Sequence, residues 1–174
     1  ESVDARPVVT KLARDLAAKG RAVLIDLDPQ QAGAGVIGDS DAPGVVDLVR
    51  GTVSFGQVIH RDRVSRLHIV PLGGSAEEGE DLLDADRLAI ALSALVQTYD
   101  FVVLAAPRAA MLAKAGLAAQ LPLVVVVGPK MWELAEAEAL YDQLAAAGIA
   151  DLIAVVEEDV SAESAAPDDP VMAA

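Results

Sequence analysis

Apolar and polar positions along this chain switch between two periods, and the switches mark out successive elements. Val8, Val9, Leu12, Ala13 and Leu16 recur at the spacing of a helix with one buried stripe, and Gly20 after Lys19 closes that segment. The run Ala22-Val23-Leu24-Ile25 is continuously apolar, short and bounded by charge, which predicts a strand buried on both faces. Leu67 to Val70, Phe101 to Leu104, Leu123 to Val127 and Leu152 to Val156 repeat that pattern. Between them the spacing predicts short helices over Val45–Val49 and Phe55–Ile59. A long amphipathic helix follows over Asp84–Tyr99, with Leu88, Ala91, Leu92, Leu95 and Val96 on one side. Further helical patterns cover Ala109–Ala119 and Met131–Ala147, the latter ended by Gly148. Residues 29–43, with Gly33, Gly35, Gly38 and Pro43, read as an irregular excursion.

Apolar strands alternating with helices predict an α/β three-layer sandwich, a mostly parallel sheet with helices on both faces. Ligands of such sheets bind beyond the C-terminal strand ends. Any chemistry therefore falls at Asp26, Asp28, Ala105, Gly128 and Glu157. The domain is read as residues 1–156. An acidic Ala/Pro-rich tail, 157–174, carries Glu157, Glu158, Asp159, Glu163, Asp168 and Asp169 with no basic residue.

Composition narrows the function. Aromatics are only 3% of the residues, so the core is aliphatic. Thirteen basic against 27 acidic residues give a net charge of −14, which disfavours nucleic acid and anionic membranes as partners. There is no cysteine, hence no disulfide and no thiolate metal site. No apolar stretch approaches the roughly 20 residues that span a bilayer, and no signal peptide is visible. The expected setting is cytoplasmic, without direct membrane insertion by this segment.

The remaining signal is Asp26-Leu27-Asp28 at the end of the first strand. An Asp-x-Asp there ordinarily serves a magnesium-nucleotide held by a glycine-rich loop and a lysine ahead of the preceding helix. At that point the chain reads Ser2-Val3-Asp4-Ala5-Arg6-Pro7.

Three stretches nevertheless resemble the P-loop ATPase domains of the bacterial tyrosine-kinase family. These domains regulate capsule and exopolysaccharide chain length and are relatives of the partition and cell-division-site ATPases. Leu12 through Lys19-Gly20-Arg21 to Asp26-Leu27-Asp28 looks like the family's first helix and second acidic motif. Pro43-Gly44-Val45-Val46-Asp47-Leu48-Val49-Arg50-Gly51, continuing to Val58-Ile59-His60 and Leu67-His68-Ile69-Val70-Pro71-Leu72-Gly73, is similar to the polysaccharide kinases more than to partition proteins. Tyr99-Asp100-Phe101-Val102-Val103-Leu104-Ala105-Ala106-Pro107 matches the strand that ends in Asp-x-x-Pro.

Carried over position by position, the resemblance removes most of an ATP site. The family's Gly-Lys-Ser/Thr-Thr falls on Asp4, Ala5, Arg6 and Pro7. Ala5 stands for the lysine, Arg6 for the magnesium-ligating hydroxyl, Ala105 for the third-motif carboxylate, and Glu157 for the adenine-reading asparagine. Loop, lysine and metal carboxylate support one another electrostatically. The expectation is a non-catalytic interaction or scaffold domain in exopolysaccharide synthesis or export, with no catalytic residue and no cofactor. Its partners would be proteins of the export machinery, with self-association possible across the strand-end face. Tethering to the inner membrane would come through sequence not shown. Family members also place a central strand ahead of the loop. The chain shown starts at the loop, which implies a fragment of a longer protein and, without that strand, a divided sheet.

Two other readings stay open. A divergent ATPase or tyrosine autokinase would bind Mg-ATP or Mg-ADP weakly through Asp26 and Asp28, with only Tyr99 and Tyr141 to phosphorylate. A partition- or pilus-type positioning protein would be nucleotide-poor and dimeric. His60 and His68 have no acidic partner at a catalytic spacing and read as surface or packing residues, and Ser54, Ser65 and Ser75 show no nucleophile-elbow context. Lys130, Trp132 and Glu133 follow Gly128-Pro129, where Trp132 reads as packing on the sheet ahead of anchoring a partner.

Overall fold

Helices and strands alternate along the chain in the computed structural model, which describes residues 6–28, 41–74, 86–107, 124–128, 133–146 and 152–156. In chain order the elements are α1 (Arg6–Ala17), β1 (Ala22–Asp26), α2 (Val45–Arg50), α3 (Phe55–Val58), β2 (His60–Arg61) and β3 (His68–Val70). They continue with α4 (Asp86–Thr98), β4 (Phe101–Ala105), β5 (Val124–Gly128), α5 (Leu134–Ala146) and β6 (Leu152–Val156). The helical pattern near 109–119, Ser75, and positions 130 and 132 lie outside the described residues.

β1 sits between β3 and β4 and runs parallel to both, pairing Leu24 with Ile69 on one side and with Val103 on the other. The short antiparallel β2 borders β3, giving the order β2-β3-β1-β4. β5 and β6 form a separate parallel pair. The spacing does not announce β2, because two residues, His60 and Arg61, carry no periodic signal.

The strand period sorts β1 onto two faces. Val23, Ile25 and Leu27 pack with Val45 and Val46 of α2, Val58 of α3 and Leu88 and Leu95 of α4. Ala22 and Leu24 pack on the other face with Ala13 and Ala17 of α1. Both faces of the sheet are thus covered, and all five residues of β1 are buried. This is the expected sandwich of helices, sheet and helices. Alanines on the inner face of α1 let the helix approach the sheet closely.

Three details differ from the pattern-based expectation. β4 is apolar throughout, yet each of its residues is only half-buried, and β1 is its one ladder partner among the described residues. Val96 falls on the buried side of α4 by spacing but is 63% exposed, since the buried stripe is Leu88, Ala91 and Leu95. Helix α4 stops at Thr98, so Tyr99 stands in the connection to β4 and not in a helix.

The turns are held by their own residues. The Gly44 N–H donates to Asp47 Oδ2 at 2.9 Å at the start of α2. Gly51 ends that helix in the left-handed region, φ 76°, where a side chain would be strained. Ser54 donates from both its N–H and its hydroxyl to Gln57 Oε1 ahead of α3, each at 2.9 Å.

Candidate functional site

The strand-end edge is built from β1 and β4. Their register places Asp26 opposite Ala105, and the Leu27 N–H donates to the Ala105 carbonyl at 2.7 Å. Asp26 is completely buried, and its Oδ1 accepts the Asp28 N–H at 2.9 Å. That bond closes a local Asx turn where the chain leaves the strand. Asp28 is half-buried beside it. Arg6 and Pro7 are exposed in the first turn of α1, while Asp4, Ala5 and Glu157 lie outside the described residues. Among the described residues no three carboxylates or histidines gather as a metal site.

Two polar groupings that the spacing does not reveal lie elsewhere. Arg14 of α1 grips Asp62 with Nε at 2.8 Å and Nη2 at 2.9 Å, and the Ser65 hydroxyl donates to Asp62 Oδ2 at 2.5 Å. The Leu67 N–H in turn donates to Ser65 Oγ at 3.1 Å. Asp62 thereby ties α1 to the loop ahead of β3. Its carboxyl is held below the usual range, first by the Arg14 hydrogen bonds and then by Ser65, against the opposing effect of burial. Beside it an open depression of about 410 Å³ is lined by Arg14, Ala17, Ala18, Ser65 and Arg66. Asp62-x-x-Ser65 is a local turn motif that the sequence carries openly, but its partner is 48 residues away.

His68 is the second case. Its sequence context gives it no partner, whereas the structure sets its Nδ1 2.6 Å from the Tyr99 hydroxyl. The two rings meet edge to face with centroids 5.6 Å apart. Burial, and then the charge of Arg61, lower the imidazole from its ordinary 6.5. The unfolded chain therefore takes this proton first. The resulting stability is fully present above pH 6.5 and fades as the pH falls through the folded value. A proton NMR titration should place the His68 midpoint below 6.5; a midpoint at or above that value contradicts the packing argument. His60 is used structurally as well, its Nε2 lying 2.9 Å from the Pro43 carbonyl.

At the opposite, N-terminal end of the strands, Asp100 clamps Arg21. It accepts the Arg21 N–H at 2.8 Å and the guanidinium Nη2 at 3.2 Å, which lowers its carboxyl. Of the tyrosines, Tyr141 is 53% exposed on α5, and Tyr99 is half-buried against His68. Glu133 is exposed just ahead of α5.

No family model matches the chain. No curated protein matches it either. Among solved structures it is similar to the VpsO kinase domain, with 26% identity and a TM-score of 0.75 over 86% of this chain and 77% of that one. The kinase domain of Escherichia coli tyrosine kinase ETK gives 18% identity and a TM-score of 0.75, over 86% of this chain and 60% of that one. A plasmid partition protein from Borrelia burgdorferi gives 14% identity and a TM-score of 0.63, over 90% of this chain and 74% of that one. The layered sheet and these likenesses give the chain the α/β fold of the P-loop ATPase superfamily, with bacterial tyrosine-kinase domains and partition ATPases among its structural neighbours.

Proposed function

We propose that this domain is a non-catalytic member of the superfamily, acting as an interaction or scaffold module in exopolysaccharide synthesis or export. The observation that supports it best is the pairing of buried Asp26 with Ala105. Where two strand ends would offer carboxylates to a hydrated magnesium ion, one offers a methyl group, and the other already accepts a backbone N–H. Magnesium is held by one or two carboxylates together with substrate phosphates. The residues that would cradle those phosphates include Asp4, which repels them, and Ala5, which brings no charge. These residues do not fit Mg-ATP. Arg6 alone supplies a cation in that stretch.

The choice of polysaccharide export over chromosome or plasmid partition rests on the middle stretch from Pro43 to Gly73 and on the likeness to kinase domains. Isothermal titration with Mg-ATP and with Mg-ADP checks the reading directly. No heat of binding is expected at ligand concentrations up to about 1 mM, where even a weak site of about −4 kcal/mol would begin to fill. Micromolar affinity that Asp26→Asn abolishes would overturn the proposal. That substitution keeps the size of the side chain and Oδ1 as an acceptor for the Asp28 N–H.

A further inference from the structure

The basic residues of this acidic chain are unevenly placed. Six of the thirteen, Arg14, Lys19, Arg21, Arg61, Arg63 and Arg66, occupy the end of α1, the turn into β1 and the connection from β2 to β3. The fold gathers these segments at the N-terminal end of the strands. Arg14 reaches Asp62, and Arg66 shares the open depression with Arg14, Ala17 and Ala18. Arg61 stands opposite His68 in the ladder, and His68 meets Tyr99 just ahead of β4, where Asp100 holds Arg21. Two of the six cations are matched within the fold, Arg14 by Asp62 and Arg21 by Asp100. Lys19, Arg61, Arg63 and Arg66 are exposed and have no carboxylate partner among the described residues. Lys19 serves the carbonyl end of α1. No helix end accounts for three exposed arginines within six residues, and an anion beside them is attracted by all three. Val64, 73% exposed between Arg63 and Ser65, adds an aliphatic contact to the same loop.

We propose that the acidic segment 157–174 of the same molecule lies across this face, with its carboxylates on Arg61, Arg63 and Arg66. The charges are complementary, since Glu157, Glu158, Asp159, Glu163, Asp168 and Asp169 come with no basic residue among them. Arginine suits the match, because its planar fork takes a carboxylate with two bonds and is more weakly hydrated than an ammonium group. The reach is sufficient. The eighteen residues beyond β6 extend to roughly 60 Å, and a domain of about 150 residues measures roughly 40 Å across. Covalent attachment holds the segment at an effective concentration in the millimolar range, which makes contacts count that are each weak at a surface. A second copy is the poorer occupant, because each molecule carries a net charge of −14 and repels the other at long range. An anionic partner of this face therefore has to displace the segment first. The contact is independent of whether Asp26 and its neighbours take a nucleotide.

Paramagnetic relaxation in the full 174-residue chain tests this. The chain has no cysteine, so Ala165→Cys, in the middle of the acidic segment, takes a nitroxide at one place. At low salt the label should broaden the amides of Arg61 to Arg66, Lys19 and Arg21 beyond those of other exposed positions, such as Ala89 and Ser93 on α4. The excess should vanish at about 0.5 M salt, where charges are screened within a few ångströms. It should vanish as well when the six acids of the segment are replaced by Gln and Asn, a change that touches no residue of the elements described above. The triple replacement of Arg61, Arg63 and Arg66 by Gln, which leaves the Arg14–Asp62 bond in place, should remove it too. Even broadening over the whole surface overturns the proposal, and so does an excess that falls on another face or survives neutralisation of the acids. Broadening that passes to a ¹⁵N-labelled, unmodified chain mixed with the spin-labelled one also overturns it, because the face then belongs to a second copy.

Discussion

Replacing Gly44 by alanine should destabilise the fold by about 3 kcal/mol or more, the upper range for overpacking, because the added methyl group would collide with the backbone of Pro71 to Gly73. A Cβ at this position would run into the Pro71 carbonyl oxygen and stand 2.5 Å from both Gly73 N and Leu72 C. None of these is a flexible side-chain end, so no rotamer change relieves the clash. The crowding has a purpose. The Val45 and Val46 N–H groups, unsatisfied within α2 itself, donate to the Pro71 and Leu72 carbonyls just beyond β3, each at 2.9 Å. Helix start and strand exit are pinned together, which also seats Val45 and Val46 in the core. Gly73, at φ 67°, closes the same cradle, and a methyl there would meet Asp47 Oδ2 at 2.5 Å. Gly56 supplies the contrast, since a Cβ there meets nothing within 4 Å. Gly56→Ala in α3 should be neutral or stabilising by about 0.5 kcal/mol. Urea unfolding of the Gly44 and Gly56 variants should separate them widely. Similar midpoints would show that α2 can lift from the sheet at little cost.

These glycines show how far the chain can be read in advance. The apolar runs announce β1, β3, β4, β5 and β6, because a strand buried between helices needs no polar face and so leaves an unbroken signal. Helices α1, α2, α4 and α5 are equally legible from spacing and caps. The special demand on Gly44 is not, because it depends on Pro71 and Leu72 coming close across a sheet. The same holds for Asp62, whose buried carboxylate looks like any loop aspartate until Arg14 arrives from another layer. At the strand-end edge, the sequence shows which residue types stand at 26, 28 and 105. It does not show that the Asp26 carboxylate is fully buried and bonded to its own turn. Nor does it show that β4 pairs along one side only among the described residues.

Arg14→Ala should cost roughly 3 kcal/mol at neutral pH, because it leaves the Asp62 carboxylate buried without its counter-ion. The Asp62 side chain is fully inaccessible and that of Arg14 is 36% exposed, so water replaces the guanidinium only in part and the effect falls at the lower end for a broken buried pair. Asp62→Asn should be milder, by about 1–2 kcal/mol, since the amide keeps the size and one acceptor for Arg14. The two variants also part with acid. The folded state holds Asp62 below its ordinary 3.8, so the unfolded chain binds that proton first. This contribution is complete above pH 3.8 and disappears as the pH drops through the folded value. Many of the 27 acidic residues titrate in the same region, so the informative quantity is the difference between the unmodified chain and Asp62→Asn. Urea midpoints followed from pH 7 downward should converge below about pH 4 as the unmodified chain loses its advantage. Parallel curves would mean that the Arg14–Asp62 bond contributes geometry without charge. The double replacement Arg14→Met with Asp62→Leu should restore most of the loss if burial of the pair is what the fold must compensate, and should flatten the acid limb at the same time. Failure to recover would show that the planar, two-pronged grip on the loop ahead of β3 is what α1 needs to stay seated on the sheet.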